Sequence, residues 1–306
     1  QDSTSANAAD AEPVAAKISS SKVLLYKAKK YVANKDKANS KAVSGMQIGL
    51  DKGGYSGGLS YTLKTAKKTF KASKSNAKAG NRKQKGRYFT AKLTGDLASH
   101  YNVYYCAYVK GYGQMGWAKN GAKAGTAGLS KRLEAVQVKL VPKGGAAPGS
   151  TARPYVEASA FTSGDVELDA ILQKIISSKT GRGSDALRKA FDYVVSLPYI
   201  DGGGGYTGDW RSWSIPLAKQ MYNRPGGNCY GYGSLMAWIA RALGYDARAV
   251  SGEVQSGVLS WSYHGWCEVT VDGTAYVLDP DLQKYVPNRN FYMVTYDQAP
   301  TYYTAY

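Results

Sequence analysis

The chain changes its hydrophobic rhythm after about residue 141. From about residue 21 to residue 141, short runs alternate apolar and polar positions between Gly-rich turns; three of them are Met46-Gln-Ile-Gly-Leu50, Phe89-Thr-Ala-Lys-Leu93 and Val136-Gln-Val-Lys-Leu140. A period of two with turn residues between predicts antiparallel β structure. Further on, the period lengthens to that of a helix. Asp165 is placed to cap a helix carrying Leu168, Ile171, Leu172, Ile175 and Ile176, and Ser184 a second carrying Leu187, Phe191, Val194 and Val195. A third helix is predicted from Tyr230 to Leu243, stopped by Gly244. Strands return at Ala247-Arg-Ala-Val-Ser-Gly252 and Trp261 to Val271, and Asp272-Gly273 predicts a hairpin turn into Tyr276-Val-Leu-Asp279.

The β-patterned half repeats itself. A shift of 45 residues lays Ala77-Lys78-Ala79-Gly80 on Ala122-Lys123-Ala124-Gly125, and a shift of 90 lays Ser40, Lys41, Gln47 and Leu50 on Ser130, Lys131, Gln137 and Leu140. Three copies, each too small to bury its own apolar face, predict an all-β repeat domain closed as a pseudo-threefold barrel of the β-trefoil type. The expected organisation is a flexible leader over 1–20, a β-rich repeat domain over 21–141, a linker over 142–160 and a second, α+β domain over 161–306. The linker expectation rests on the three prolines and three glycines of Pro142 to Pro154.

Charge sharpens this division. The 306 residues carry 40 Lys+Arg against 22 Asp+Glu, a net of +18. Residues 1–150 hold 27 and 7 of these, a net of +20, and the remainder hold 13 and 15, a net of −2. The partners suggested by such a basic module are nucleic acid, anionic membrane or an anionic cell-wall polymer. With 43% hydrophobic residues the chain is too apolar to be mainly disordered, and no window approaches the ~20 apolar residues of a membrane span. The opening is polar, Ala- and Ser-rich and lacks an initiator Met, as after removal of a signal peptide, so a secreted or cell-surface location is expected. That location, with no nucleic-acid motif in view, favours a wall polymer such as teichoic acid, and no nucleic acid is expected. Three cysteines are too few and too odd in number for a disulfide framework. Together with only two histidines they show no metal-ligand spacing, so neither metal nor cofactor is expected.

The candidate chemistry lies in the second half. Gly226-Gly227-Asn228-Cys229 leads into the third helix, where unpaired amides and the positive dipole end favour an anion at Cys229. Alternation along the next strands puts His264, Trp266 and Glu268 on one face and Cys267 on the other. Asp279 ends the partner strand at the same end of the hairpin as His264, with Asp281 as a nearby competitor. A lone cysteine near a helix start is more often a small buried hydrophobe; a correctly ordered His and Asp turn it into a nucleophile with its base and orienting carboxylate.

Two families are resembled. Tyr105-Cys-Ala-Tyr-Val109, Gly116-Trp117, Asn120-Gly121, Ala124-Gly125-Thr126 and Arg132-Leu-Glu-Ala135 resemble the clostridial hydrophobic repeat with its Gly-Trp dipeptide, ChW. That resemblance implies a surface protein of a Gram-positive bacterium with a role in attachment. Gly-Asn-Cys before a helix ending Ala-Leu-Gly-Tyr-Asp-Ala, then His-Gly-Trp-Cys-Glu-Val and Val-Leu-Asp-Pro, resemble the transglutaminase-like superfamily of thiol enzymes, over roughly residues 185–285. The second resemblance implies a papain-like fold, Cys229 as nucleophile, His264 as general base and later acid, and Asp279 as the residue orienting the imidazole. The expected reaction is thiolate attack on a peptide or glutamine carboxamide of a protein or peptide substrate, through a thioester, ending most simply in hydrolysis. Amine transfer that cross-links proteins and a non-catalytic wall-binding protein with a vestigial enzyme fold are the alternatives. Candidate oxyanion donors are the Cys229 backbone N–H and Gln220, and candidate substrate contacts are Trp213, Trp261, Tyr263 and Trp266.

Overall fold

The computed structural model describes residues 14–158 and 162–306. Most of the expected leader, residues 159–160 of the expected linker and residue 161, the first of the expected second domain, lie outside the described residues. The described chain divides into two compact units, one comprising the residues up to Tyr108 with Trp117–Gly125 and Arg132–Ser150, the other Val109–Gly116, Thr126–Lys131 and Thr151–Tyr306. Two short pieces of the repeat region therefore belong with the second unit.

Strands and one short helix follow in chain order as β1 (Lys17–Leu25), β2 (Tyr31–Ala33), β3 (Val43–Asp51), β4 (Gly58–Thr65), β5 (Thr69–Ala72), β6 (Ala79–Gly80), β7 (Gly86–Thr94), α1 (Asp96–His100), β8 (Tyr101–Val109), β9 (Gly113–Gln114), β10 (Ala118–Lys119), β11 (Ala124–Ala127) and β12 (Leu133–Pro142). β1 starts inside the stretch expected as leader, because its first half, Lys-Ile-Ser-Ser-Ser, is too polar to announce a strand. Strands of the first unit lie in three small sheets, which include the neighbour orders β2-β1-β3-β6, β10-β8-β12 and β11-β7-β4-β5. The three alternating runs read from the sequence lie in β3, β7 and β12, and their inward residues, Met46, Ile48, Phe89, Ala91, Val136 and Val138, are buried. Trp117 of the Gly-Trp dipeptide is a core residue: it packs on Tyr104 and Cys106, and its backbone N–H donates to Ser150 O at 2.9 Å.

The second unit adds β13 (Tyr155–Glu157), α2 (Val166–Ile175), α3 (Ala186–Ser196), α4 (Trp210–Asn223), α5 (Cys229–Leu243), β14 (Asp246–Gln255), β15 (Trp261–Val271), β16 (Thr274–Leu278), α6 (Pro280–Tyr285), β17 (Tyr292–Thr295) and β18 (Tyr303–Ala305). β14 to β18 form an antiparallel sheet ordered β17-β16-β15-β14-β18. The helices supply most of one large core, which reaches the sheet through Ala247, Ala249, Cys267, Val269 and Leu278. A smaller cluster of Val250, Trp266, Val277 and Val294 is made by the alternate residues of the same strands. This is an α+β arrangement with the sheet's two faces buried separately.

Local sequence explains the helix ends. Asp165 accepts from Leu168 N at 2.8 Å and starts α2. The second helix starts one residue later than expected: its N-cap is Asp185, not Ser184, and that carboxylate makes an ion pair with Lys189 one turn on instead of capping. α4 was not anticipated, since Pro216 in its interior and its polar residues mask the period; Asp209 caps it by accepting from Arg211 N. Part of the Pro- and Gly-rich stretch expected as a linker is firmly built into the second unit. Arg153 is 6% exposed, donates to the carbonyls of Leu243, Arg182 and Gly183 at 3.2, 3.1 and 3.1 Å, and lies between the rings of Tyr112 and Tyr245. Its charge sits at the C-terminal end of α5, where the dipole favours a cation.

Candidate active site

Cys229 is the first residue of α5. Asn228 takes the N-cap position, accepting from Gly231 N at 3.3 Å while its own Nδ2 donates to Gly203 O at 2.7 Å. One side chain thus fixes both the helix start and the Gly-rich loop beside it. Tyr230, two positions on, also ties this loop to the helix, its hydroxyl accepting from Gly205 N at 2.8 Å.

The helix start reaches β15 because two glycines remove the obstacle. A Cβ on Gly265 would lie 2.7 Å from Tyr230 Cα, and one on Gly233 2.8 Å from the backbone of Trp266. Neither distance is tolerable between carbon atoms. With both absent, Cys229 Sγ, a ring nitrogen of His264 and a carboxylate oxygen of Asp281 lie within 4.8 Å of one another.

His264 is held from behind. Its Nε2 lies 2.7 Å from Asp279 Oδ2, and Tyr303, from the last strand, donates its hydroxyl to the same oxygen at 2.9 Å. Asp279 Oδ1 accepts from Leu282 N at 2.9 Å, so this carboxylate also caps α6. The Trp266 ring stacks against the imidazole at 16° and a 6.2 Å centroid separation. Trp266 is itself fixed by donation to Tyr296 Oη, which donates on to Glu268, the ion-pair partner of Arg248.

Burial disfavours a charged imidazole, but the negative charge of Asp279, its hydrogen bond and a hydrogen bond to Cys229 outweigh this and hold His264 well above the ordinary imidazole range. Burial, then the charge of Asp279, push Tyr303 far up, so its hydroxyl remains a donor. Asp281 is pushed up to about 6 by burial and by Asp279, against the pull of His264 and Lys284.

The remaining candidates separate. Trp266 is fully buried behind His264 and supports the ring, which corrects its expected place among the substrate contacts. Trp213 is also buried, stacked on Tyr206 and edge-on to Tyr230, so it is a packing residue. Trp261 and Tyr263 are exposed at the start of β15. Gln220 lines a pocket with Gly202, Gly203, Asn228 and Gly231, on the Gly-rich-loop side of the helix start. All three cysteines are free thiols, and Cys267 lies in the large core. Two residues escaped the sequence reading altogether. Tyr303 is remote in the chain and carries no motif. Tyr199 is 38% exposed, and burial followed by the charges of Cys229 and Asp281 pushes its hydroxyl up to about 12.

Among the described residues no helix is long and apolar enough to cross a membrane. The chain is similar to the periplasmic domain of TgpA from Pseudomonas aeruginosa, at 15% identity over 52% of this chain and 58% of that one, with a TM-score of 0.30. It therefore spans little more than half of that domain. It is also similar to a candidate cysteine protease from Cytophaga hutchinsonii, at 10% identity over 87% of this chain and 74% of that one, with a TM-score of 0.29. No curated protein matches the sequence. Family models match in two places, the clostridial hydrophobic W repeat over residues 108–142 and the transglutaminase-like superfamily over residues 169–280. A clostridial hydrophobic W repeat thus precedes a transglutaminase-like region, and the grouped Cys, His and Asp side chains lie in and immediately beside that region.

Proposed function

We propose that this protein is a secreted thiol enzyme that opens a peptide bond or glutamine carboxamide through a thioester and passes the acyl group to water. The observation that carries this reading is the convergence of Cys229 Sγ, at a helix start, on an imidazole whose far nitrogen lies 2.7 Å from a buried carboxylate. With Nε2–H donated to Asp279, Nδ1 is left to take the thiol proton.

The steps follow from that arrangement. Sulfur attacks the carbonyl carbon as its proton passes to His264. The oxyanion that forms faces the Cys229 backbone N–H, with Gln220 the candidate for a second donor. Collapse breaks the C–N bond, and the leaving amine carries away the His264 proton. Water then adds to the thioester, gives a proton to the ring, and the C–S bond breaks as sulfur regains it. Cys229 is 8% and His264 4% exposed, an opening that suits water better than a second protein's lysine. Trp261 and Tyr263 are candidates for the substrate wall.

The first unit is read as the attachment module. Its excess positive charge and a pocket lined by Tyr26, Lys67, Lys83, Lys85 and Arg87 support retention on an anionic wall polymer. The recurrence of β3, β7 and β12 in three sheets supports a pseudo-threefold barrel of the β-trefoil type.

Incubation with a glutamine-containing protein and a primary amine, followed by mass spectrometry, tests the chemistry. Deamidated or cleaved product without amine incorporation is expected, and incorporation of the amine would make the protein a cross-linking enzyme. Iodoacetamide should label Cys229 faster than an ordinary thiol, and His264→Ala should abolish the excess. Ordinary reactivity in the native protein would leave a wall-binding protein with a vestigial enzyme fold.

A further inference from the structure

One group at the site has no part in the steps above. Asp281, the second residue of α6, is 5% exposed. Its Oδ1 has no hydrogen-bond partner, and its Oδ2 lies 4.0 Å from His264 Nδ1. Lys284, which could have neutralised it, donates to Val195 O instead. A buried carboxylate oxygen left without a partner is unfavourable unless a further group binds it. We propose that Cys229 Sγ, His264 Nδ1 and an Asp281 carboxylate oxygen together bind a zinc ion, which holds the enzyme latent until the metal is withdrawn.

The donor set selects the metal class. Thiolate, imidazole and carboxylate suit zinc, whereas magnesium and calcium require oxygen ligands. Zinc bonds of ~2.0–2.3 Å at tetrahedral angles place ligand atoms about 3.3–3.7 Å apart. The three atoms here lie within 4.8 Å of one another, the Nδ1 to Oδ2 separation being 4.0 Å. Small side-chain adjustments therefore close the site, leaving a fourth position for water.

The support behind the imidazole is also what a zinc site uses. A ligating histidine donates its other ring N–H to a carboxylate, which fixes tautomer and orientation. Asp279 does this at 2.7 Å and is fixed in turn by Tyr303. The three ligands are far apart in sequence, so their spacing gives no metal signal. On binding, the thiol loses its proton to solvent and sulfur bonds the metal. The sulfur can then no longer attack a carbonyl and Nδ1 can no longer take a proton. The regulatory consequence rests on the thiol-enzyme reading, although metal binding does not.

The test is a titration of metal-free protein with zinc against a chromophoric chelator, repeated with cobalt(II). Expected are one ion per chain, a cobalt spectrum with a thiolate charge-transfer band and tetrahedral d–d bands, and at least tenfold weaker binding in Asp281→Asn. Equal affinity in that variant, or a cobalt spectrum without the thiolate band, overturns the proposal. Should Asp281→Asn fail to fold, the native protein decides: stoichiometric zinc must protect Cys229 from iodoacetamide, and a chelator must restore labelling. Unprotected labelling overturns the site. None of these readouts needs turnover. Metal binding by a protein inactive on every carboxamide offered would keep the site and sink the enzyme reading. Activity indifferent to micromolar zinc would do the reverse.

Discussion

Tyr303 and Asp281 approach the same histidine with opposite effects. Tyr303 donates to the carboxylate that orients His264, a contact worth ~0.5–1.5 kcal/mol if it behaves as an ordinary hydrogen bond. Tyr303→Phe should therefore lower kcat about 2- to 10-fold with KM unchanged, read from steady-state kinetics with a small carboxamide substrate. A shift in KM alone would instead place this hydroxyl in substrate binding. Asp281 bears on stability. Its carboxyl is pushed from the ordinary 3.8 up to about 6 in the folded protein, so between those values the folded state keeps a proton that the unfolded state has released. Stability contributed by this group is present below that window and lost as pH rises through it. In chelator-treated protein, Asp281→Asn should raise Tm at pH ~7.5 and raise it much less at pH ~4.5, by differential scanning fluorimetry, since the asparagine has no charge to bury. Equal shifts at both pH values would remove the cost assigned to the ionised carboxylate.

At the scale of elements, the site depends on how closely α5 rides on β15. Gly265→Ala would place a methyl 2.7 Å from Tyr230 Cα, forcing the helix outward. Overpacking of this kind costs ~1–3 kcal/mol. The variant should melt lower and lose most of the fast alkylation of Cys229; unchanged labelling would show that helix and strand can part without separating sulfur from ring. Much of this supersecondary structure was legible. Asn228 and Gly244 bracket α5, Asp272-Gly273 makes the turn with both residues at positive φ, and alternation put His264 and Cys267 on opposite faces. What escaped was contact set by packing and topology. Tyr303 reaches Asp279 only because β18 pairs with the edge of β14. Trp266 read as a binding residue because the same indole can line a cleft or fill a core, and only burial distinguishes them. The half-polar β1 and the proline-bearing α4 gave weak periodic signals for the same reason: their residues answer to neighbours elsewhere in the chain.

At the scale of the whole chain, charge and chemistry are divided between the two halves of the sequence. Residues 1–150 carry a net of +20 and the remainder −2, so attraction to a polyanion should be a property of the first half and should weaken as salt shortens the Debye length from ~10 Å at 0.1 M to ~3 Å at 1 M. Co-sedimentation of the intact protein with teichoic-acid-bearing cell walls should be strong at low salt and mostly lost near 1 M. Retention unaffected by salt would point to a specific pocket instead of net charge. Val109–Gly116 and Thr126–Lys131 also belong to the second compact unit, a division that no composition shift marks.

β18 is only three residues long and is paired along one edge, through Gly252, Glu253 and Val254. Short edge elements of this kind open at a lower free energy than the core. The brace on the imidazole therefore hangs from a weak point of the second unit, and warming should unfasten Tyr303 while the remaining sheet stays intact. Turnover would then fade below the temperature at which the fold melts, and cooling would restore it.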